Sequence, residues 1–452
     1  MTGTGDARRP GTRTPGTRAA GRGPVAAPAA PAALARLAAV TALATLATVG
    51  RAQGSVGRGA AAPPPPAPTL HEVLAIALRE NPDIRVARAH VDSAHGEVRV
   101  ARAFPNPVTS VVPGIPFQYS ATLDLDITPQ RVFRVRAARQ GQVATADDFA
   151  DQVRITTFAV RQAFYDELLD EALVDVAGRQ RTVLAQILTA DSARVRAGDL
   201  PDRNLVTSQL ELARGDAALA KAQATARAAR LALQLLMGVR HPDTAFRVSG
   251  TLEYRPVALP MDSLLAIAAA SRPDLRSARE RTGQSRSIRS FARSLLFPTP
   301  NVGVTYQPDQ LYPSTPPFAG ASHFAFFLSA PVPLFDWFGG EREKAQAGLD
   351  VAEITEDRAR KQVESDVVTA IDGYRSAETL ASRYQGGLLA KAQQAVATAQ
   401  YAYQRGAISL LDLLDAIRTN GDILVEYYTT VHDFWVSVYT IDEAVGRDLV
   451  PD

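Results

Sequence analysis

The chain has 452 residues, enough for two ordinary domains or one elongated one. It contains no cysteine, which excludes a disulfide framework, a thiolate metal site and a lipid-modified cysteine. Seven arginines and a single acid lie in residues 1–53, so the remaining 42 bases and 46 acids leave a net of −4 that excludes polyanion binding driven by charge.

The N-terminus reads as an export signal over residues 1–52. An Arg-, Pro- and Gly-rich start leads into LAAVTALATLATV (37–49), and Gly50-Arg51-Ala52 supplies small residues at a cleavage position. A disordered Ala/Pro tail is the alternative. These 13 apolar-leaning residues are too few to span a bilayer, and no other run reaches the ~18 of a membrane helix. AAAPPPPAP (60–68) makes residues 53–68 an extended proline-rich linker.

A first unit follows over residues 69–238. It opens with a helix of about thirty residues over 70–101, with Leu74, Ala77, Leu78 and Ile84 at helical spacing. A less regular strand, NPVTSVVPG (106–114), precedes TLDLDIT (122–128), which alternates strictly. Leu123, Leu125 and Ile127 share one face there, and Thr122, Asp124, Asp126 and Thr128 the other. Residues 131–197 hold no proline and predict one helix roughly 100 Å long at about 1.5 Å per residue. No small globular core covers such a rod, so it must pack side by side with other helices. It ends at Gly198, and a return helix runs over 202–238. Residues 239–260 are mixed and short, and read as a small extra layer against the middle of the helices.

The second unit, 261–448, repeats the plan. A helix over 261–296 leads to PNVGVTYQP (300–308) and HFAFFLSAPVPLFDW (323–337), which sets Phe324, Phe326 and Leu328 on one face. A long helix over 341–405 ends at Gly406, and a return helix runs over 409–447. The duplication is visible in three ordered matches: LAIALRENPDIRVAR (74–88) with LAIAAASRPDLRSAR (265–279), FPNP (104–107) with FPTP (297–300), and RAGDLPDRNL (196–205) with QRGAISLLDL (404–413).

Four strands cannot close a membrane barrel, because no unpaired edge can face lipid. Three chains would supply about twelve, the number a trimer with one shared barrel and a helical tube of hairpins requires. A soluble α+β protein with two small hairpins is the alternative. The export signal, the apolar strand faces and the aromatics Phe335, Trp337 and Phe338 beside a strand end favour the membrane version. The fold class is thus mainly α with a small transmembrane β-barrel part.

The segment YQRGAISLLDLLDA (403–416) sets Asp412 and Asp415 three residues apart on one helix face. Two readings fit. They are an ordinary solvated stripe that gains from the helix N-terminus, or, in a three-fold tube, two stacked carboxylate rings at its mouth. Such rings would raise their own proton affinity, attract cations and oppose tight closure.

Over residues 69–448 the sequence resembles the TolC-like outer membrane efflux proteins. The resemblance rests on the duplicated NPD/RPD helices, the FPNP/FPTP strand starts, PLFD (333–336) and the glycine-tip motif. ITPQRVFRVRAA is similar to a segment of the heavy-metal-efflux branch but lacks its Gly-Lys. The resemblance implies a homotrimeric outer membrane channel with a periplasmic helical tunnel, docked to a periplasmic adaptor protein and an inner-membrane pump. It places the family's constricting aspartates on Asp412 and Asp415 and its gate-bonding tyrosine on Tyr403. The family's arginine position falls on Ile408 and its first-unit acid on Asn204, beside Arg203. The tips at Gly198, Asp199, Gly406 and Ala407 are expected to meet the adaptor; exposed turns with no partner are the alternative.

Nothing points to catalysis or a cofactor. There is no phosphate-binding loop and no metal-ligand cluster, and His90 and His95 are off the spacing of helical metal pairs. The sequence therefore reads as a passive exit duct that contacts outer membrane lipid and no nucleic acid. A non-conducting periplasmic coiled-coil adaptor or scaffold is the main rival, and an exported enzyme a distant third.

Overall fold

A computed structural model describes residues 67–112, 118–307, 322–384 and 387–450; the export signal and most of the linker lie outside them. The first helix starts where the sequence supplies a cap. The Thr69 hydroxyl accepts from the Glu72 amide while the Glu72 carboxylate accepts from the Thr69 amide at 2.8 Å. This α1 (Leu70–Glu80) stops at Asn81, and α2 (Pro82–Arg102) begins at the next residue. The single helix expected over 70–101 is therefore two. A residue before proline is pushed out of the helical region, and Asn81 takes ψ 129°. The second unit breaks in the same way at Arg272-Pro273, between α5 (Leu264–Ser271) and α6 (Pro273–Ser294), after a short turn at Met261–Ser263.

Four strands pair antiparallel in chain order: β1 (Val108–Val112), β2 (Gln118–Asp124), β3 (Asn301–Gln307) and β4 (His323–Ser329). The register lines up Leu123, Val302 and Leu328, then Ala121, Val304 and Phe326, then Tyr119, Tyr306 and Phe324. Residues opposite one another share a face, so one side of the sheet is apolar. The other side carries Ser110, Ser120, Thr122 and Thr305, with Ser110 and Ser120 hydroxyls 2.6 Å apart. Gly303 lies on that side under the Phe327 ring, where a Cβ would come within 2.2 Å of it.

The β2 strand differs from the expected 122–128. It ends at Asp124, and only the Leu125 amide keeps a sheet-like bond, to the Pro300 carbonyl at 2.9 Å. Pro129 already starts the next helix, so residues 125–128 are spent turning. Asp126 swings inward to accept from Arg134 at 2.6 Å, and Ile127 is left exposed outside the strand. Leu123 thus belongs to the apolar sheet face, while Leu125 and Ile127 do not.

From there α3 (Pro129–Arg196) runs 68 residues without a break. Its return partner is α4 (Asp202–Leu236). The corresponding helix of the second unit is not continuous, contrary to the sequence reading. It divides into α7 (Gly339–Tyr384) and α8 (Leu388–Gln404), with Gly387 at φ +84° at the head of α8. That left-handed conformation cannot continue a helix. The final helix is α9 (Leu410–Val445).

The duplication extends to the packing. The Asn81 side chain donates to the Leu236 carbonyl at the end of α4 at 2.7 Å, and Arg272 donates to the Ala444 carbonyl at the end of α9 at 3.0 Å. Each X-Pro break therefore ties off the last turn of its own unit's return helix. Residues 239–260 form no helix or strand but cross the middle of the helices. Trp435 Nε1 donates to the Glu253 carbonyl and Tyr374 Oη to the Val257 carbonyl, each at 2.9 Å. Tyr254 and Val257 of this strap cover a core built from Val367, Tyr374, Phe434 and Val438. Among the described residues, no helix is long and apolar enough to cross a membrane.

Candidate functional site

The ends of the two hairpins share one turn chemistry. Gly198 and Gly406 take φ +83° and +71°. The Asp199 amide reaches back to the Arg194 carbonyl at 2.8 Å and the Ala407 amide to the Ala402 carbonyl at 2.9 Å. This is the glycine-closed helix end in which the residue after the glycine satisfies a carbonyl one turn back. All four tip residues, Gly198, Asp199, Gly406 and Ala407, are exposed, and open space surrounds both glycines.

Behind the tips an apolar cluster joins the hairpins. Leu184 and Ile187 of α3 meet Leu410, Leu413, Leu414 and Ile417 of α9. A buried polar clasp sits within it. The Tyr403 hydroxyl donates to Asp191 Oδ1 at 2.6 Å, and the Ser208 hydroxyl donates to Asp191 Oδ2. Asp191 is 0% exposed, so its carboxylate depends on these two donors. Three helices meet at one side chain: Asp191 from α3, Ser208 from α4 and Tyr403 from α8. Burial, reinforced by the hydrogen bond to Asp191, pushes the Tyr403 hydroxyl well above the ordinary tyrosine range. The Arg194 guanidinium lies 5.6 Å from the Tyr403 ring centroid. Farther from the tips, Glu211 of α4 accepts from Arg214 and from Arg418 of α9, each at 2.7 Å.

Asp412 has a local role. It is the third residue of α9 and closes a capping box with Ser409, whose hydroxyl and amide donate to Asp412 Oδ2 at 2.7 and 3.0 Å. The Ser409 hydroxyl, then its amide, hold the Asp412 carboxyl below the usual carboxylate range. Asp412 and Asp415 are both exposed, on the side of α9 away from the leucine seam. Within one chain the structure thus joins Tyr403 to the clasp and leaves the two aspartates on an open face.

Sequence reasoning missed Asp191, Ser208 and Glu211. It looked for the tyrosine's partner at Asn204 and Arg203, on the far side of the first tip. One signal was available: Asp191 continues the Leu184–Ile187 stripe at spacings of three and four, where an acid on an apolar seam demands a partner. Ser208 and Glu211 leave no such trace, because small and charged residues are ordinary on a helix surface. No group of three or more His, Asp or Glu side chains fit to hold a metal occurs among the described residues.

Comparison with known proteins agrees with this architecture. Residues 264–420 match the family model described as outer membrane efflux protein. Over 84% of its length the chain is 23% identical to the cobalt-zinc-cadmium resistance protein CzcC of Cupriavidus metallidurans, covering 90% of that protein. It is 26% identical to the toluene efflux pump outer membrane protein TtgI of Pseudomonas putida over 78% of this chain and 79% of that one. The fold superposes on the CmeC outer membrane channel of Campylobacter jejuni with a TM-score of 0.72 at 14% identity, over 83% of this chain and 85% of that one. The similarity runs through both hairpins and the sheet, beyond any one motif: the chain shares the fold of a solved outer membrane channel and, over most of its length, resembles outer membrane efflux proteins.

Proposed function

We propose that the chain is the outer membrane channel of a tripartite efflux or secretion system. It acts as a passive exit duct for substrates that an inner-membrane pump delivers through a periplasmic adaptor. The observation that carries this reading is the sheet. It has one apolar face, its edge strands β1 and β4 are unpaired among the described residues, and it is fused to a 68-residue helix. Unpaired strand edges are not tolerated in lipid. Three copies, joining β4 of one to β1 of the next, remove every edge in a barrel of about twelve strands. Leu123, Phe324, Phe326 and Leu328 then face lipid, and the serines and threonines face water. The long helices line up as a periplasmic tunnel whose far mouth is formed by the tips.

In that tunnel Asp412 and Asp415 form a charged constriction, with Tyr403 holding the hairpin behind it. Gly198, Asp199, Gly406 and Ala407 are the surface offered to the adaptor. Transport energy comes from the partner pump, since the sequence has no nucleotide-binding loop. The relatives' names cover cobalt, zinc and cadmium in one case and toluene in another, so the cargo is set by the pump more than by the duct.

The test is single-channel conductance in planar bilayers. Wild type is compared with Asp412→Ala/Asp415→Ala, with and without millimolar divalent cations. Low conductance that divalent cations block, and that rises and loses its block in the variant, supports the duct and its acidic mouth. Conductance indifferent to the substitutions keeps the duct and reduces the aspartates to helix-start residues. Silent, correctly folded trimers would favour the non-conducting scaffold.

A further inference from the structure

The four segments that join the sheet to the helices all leave it at one end. Val108, Asp124, Asn301 and Ser329 terminate their strands there, as the pairings of Asp124 with Asn301 and of Asn301 with Ser329 require. These segments are neither strand nor long helix, yet they carry large apolar side chains in the open. Phe104, Ile127, Phe297, Leu334, Phe335 and Trp337 are all exposed, and Phe335 is 98% so. None belongs to any of the three core clusters. All six lie in the connections at that end of the sheet, next to its strands, and make up an apolar belt there.

Bases crowd the same level. Arg99 and Arg102 occupy the last turn of α2, and Arg293 the last turn of α6. The first turn of α3 carries no acid, although a helix N-terminus favours one, and holds Arg131 instead. The Arg131 guanidinium lies over the Phe104 ring, 3.8 Å from its centroid. Of the acids at this level, Asp126 is buried against Arg131 and Arg134 and Asp336 accepts from the Phe338 amide at 2.9 Å, while Asp124 at the strand end and Glu341 in the first turn of α7 are exposed and fewer than the bases. Exposed rings mixed with cations at a strand end match the headgroup layer, where aromatics sit at the water–hydrocarbon boundary and arginines meet phosphates.

We propose that this belt seats in the membrane leaflet on the helical side of the barrel and selects anionic phospholipids there. The inference rests on the channel reading above. The competing occupant is a neighbouring copy of the chain.

The chain has two tryptophans, which makes the test direct. Trp337 lies in the belt and is 62% exposed, whereas Trp435 is half-buried under the strap. Conducting trimers are reconstituted in vesicles that contain phosphatidylglycerol and phosphatidylcholine, with bromine near the headgroup end of the acyl chains of one lipid or the other. Brominated phosphatidylglycerol is expected to quench the wild-type emission about twofold more than brominated phosphatidylcholine, the enrichment expected of a few arginines at an anionic surface. Trp337→Phe loses the lipid-dependent quenching. Arg99→Gln/Arg102→Gln/Arg293→Gln keeps it but equalises the two lipids. Equal quenching in the wild type overturns the proposal and leaves the channel standing. Absence of quenching in conducting trimers also overturns it, because the belt is then covered by protein. Failure of the channel reading shows separately, as trimers that do not conduct.

Discussion

Removing the Tyr403 hydroxyl isolates the clasp. In Tyr403→Phe the ring still packs against Leu410 and Leu413, but Asp191 keeps only the Ser208 donor. A hydrogen bond to a charged, buried group contributes about 1.5–3 kcal/mol. Tyr403 is 6% exposed, so water does not readily replace the lost donor. About 2 kcal/mol corresponds to a factor of roughly 30 in a local equilibrium. The effect belongs to the tips, because the equatorial core around Val367 and Phe434 shares no residue with the clasp. Amide hydrogen exchange is the assay. Protection in residues 187–208 and 399–417 should fall roughly 30-fold, while amides near Val367 and Phe434 keep theirs. A double-mutant cycle with Asp191→Asn should return a coupling of about 1 kcal/mol or more. Unchanged tip exchange, a uniform loss along all helices, or additive single effects would each refute the clasp.

Three further outcomes follow from other contacts. Burial pulls the His432 imidazole down, but hydrogen bonds to Asp166 at 2.8 Å and Asp433 at 3.0 Å outweigh it, so its pKa lies above the usual 6.5. The stabilisation is complete below the unfolded value and lost as pH rises through the folded one. His432→Gln should flatten thermal stability against pH from about 6.5 upward, with Asp170 the remaining half-buried carboxyl facing that site. Gly303→Ala sets a methyl against the Phe327 ring and should cost about 1–3 kcal/mol, read as a lower melting point of the protein and restored by Phe327→Leu. Asn81→Ala removes the cap of α2 and the tie to Leu236 together, and should lower stability by about 1–3 kcal/mol in chemical denaturation.

Much of the fold was legible because its signals are local or repeated. The 68-residue helix declares itself by the absence of proline, and both hairpin tips by a glycine between helical runs. The errors were local too. The single helices expected over 70–101 and 261–296 run across Pro82 and Pro273, where the preceding residue takes an extended ψ and a new helix starts. The strand over 122–128 was read from alternation alone, and alternation does not register that Asp126 has arginines within reach. The break before α8 was foreshadowed by the pair Gly386-Gly387, but glycine count by itself does not separate a tolerated residue from a left-handed one.

The tip chemistry was less legible, for a reason inherent in duplicated hairpins. Residue positions near a tip can be counted from the glycine, but partners across hairpins depend on the rotation of each helix. Position-counting puts Tyr403 opposite the segment after Gly198; rotation brings it to Asp191, seven residues before that glycine, whose carboxylate also accepts from Ser208, ten after it. The consequence is mechanical. Tyr403 ties α8 to Asp191 of α3, and Ser208 of α4 donates to the same carboxylate, so the second hairpin cannot tilt away without uncovering a carboxylate that is 0% exposed here. Asp412 adds no such restraint, because its hydrogen bonds stay within its own helix cap and move with it. On the proposed channel reading, resistance to opening is expected of the buried clasp, and the charge that a passing cation meets of the exposed face of α9. The two can be altered independently: Tyr403→Phe should change how often the mouth opens and leave its ion preference intact, and Asp412→Ala/Asp415→Ala should do the reverse.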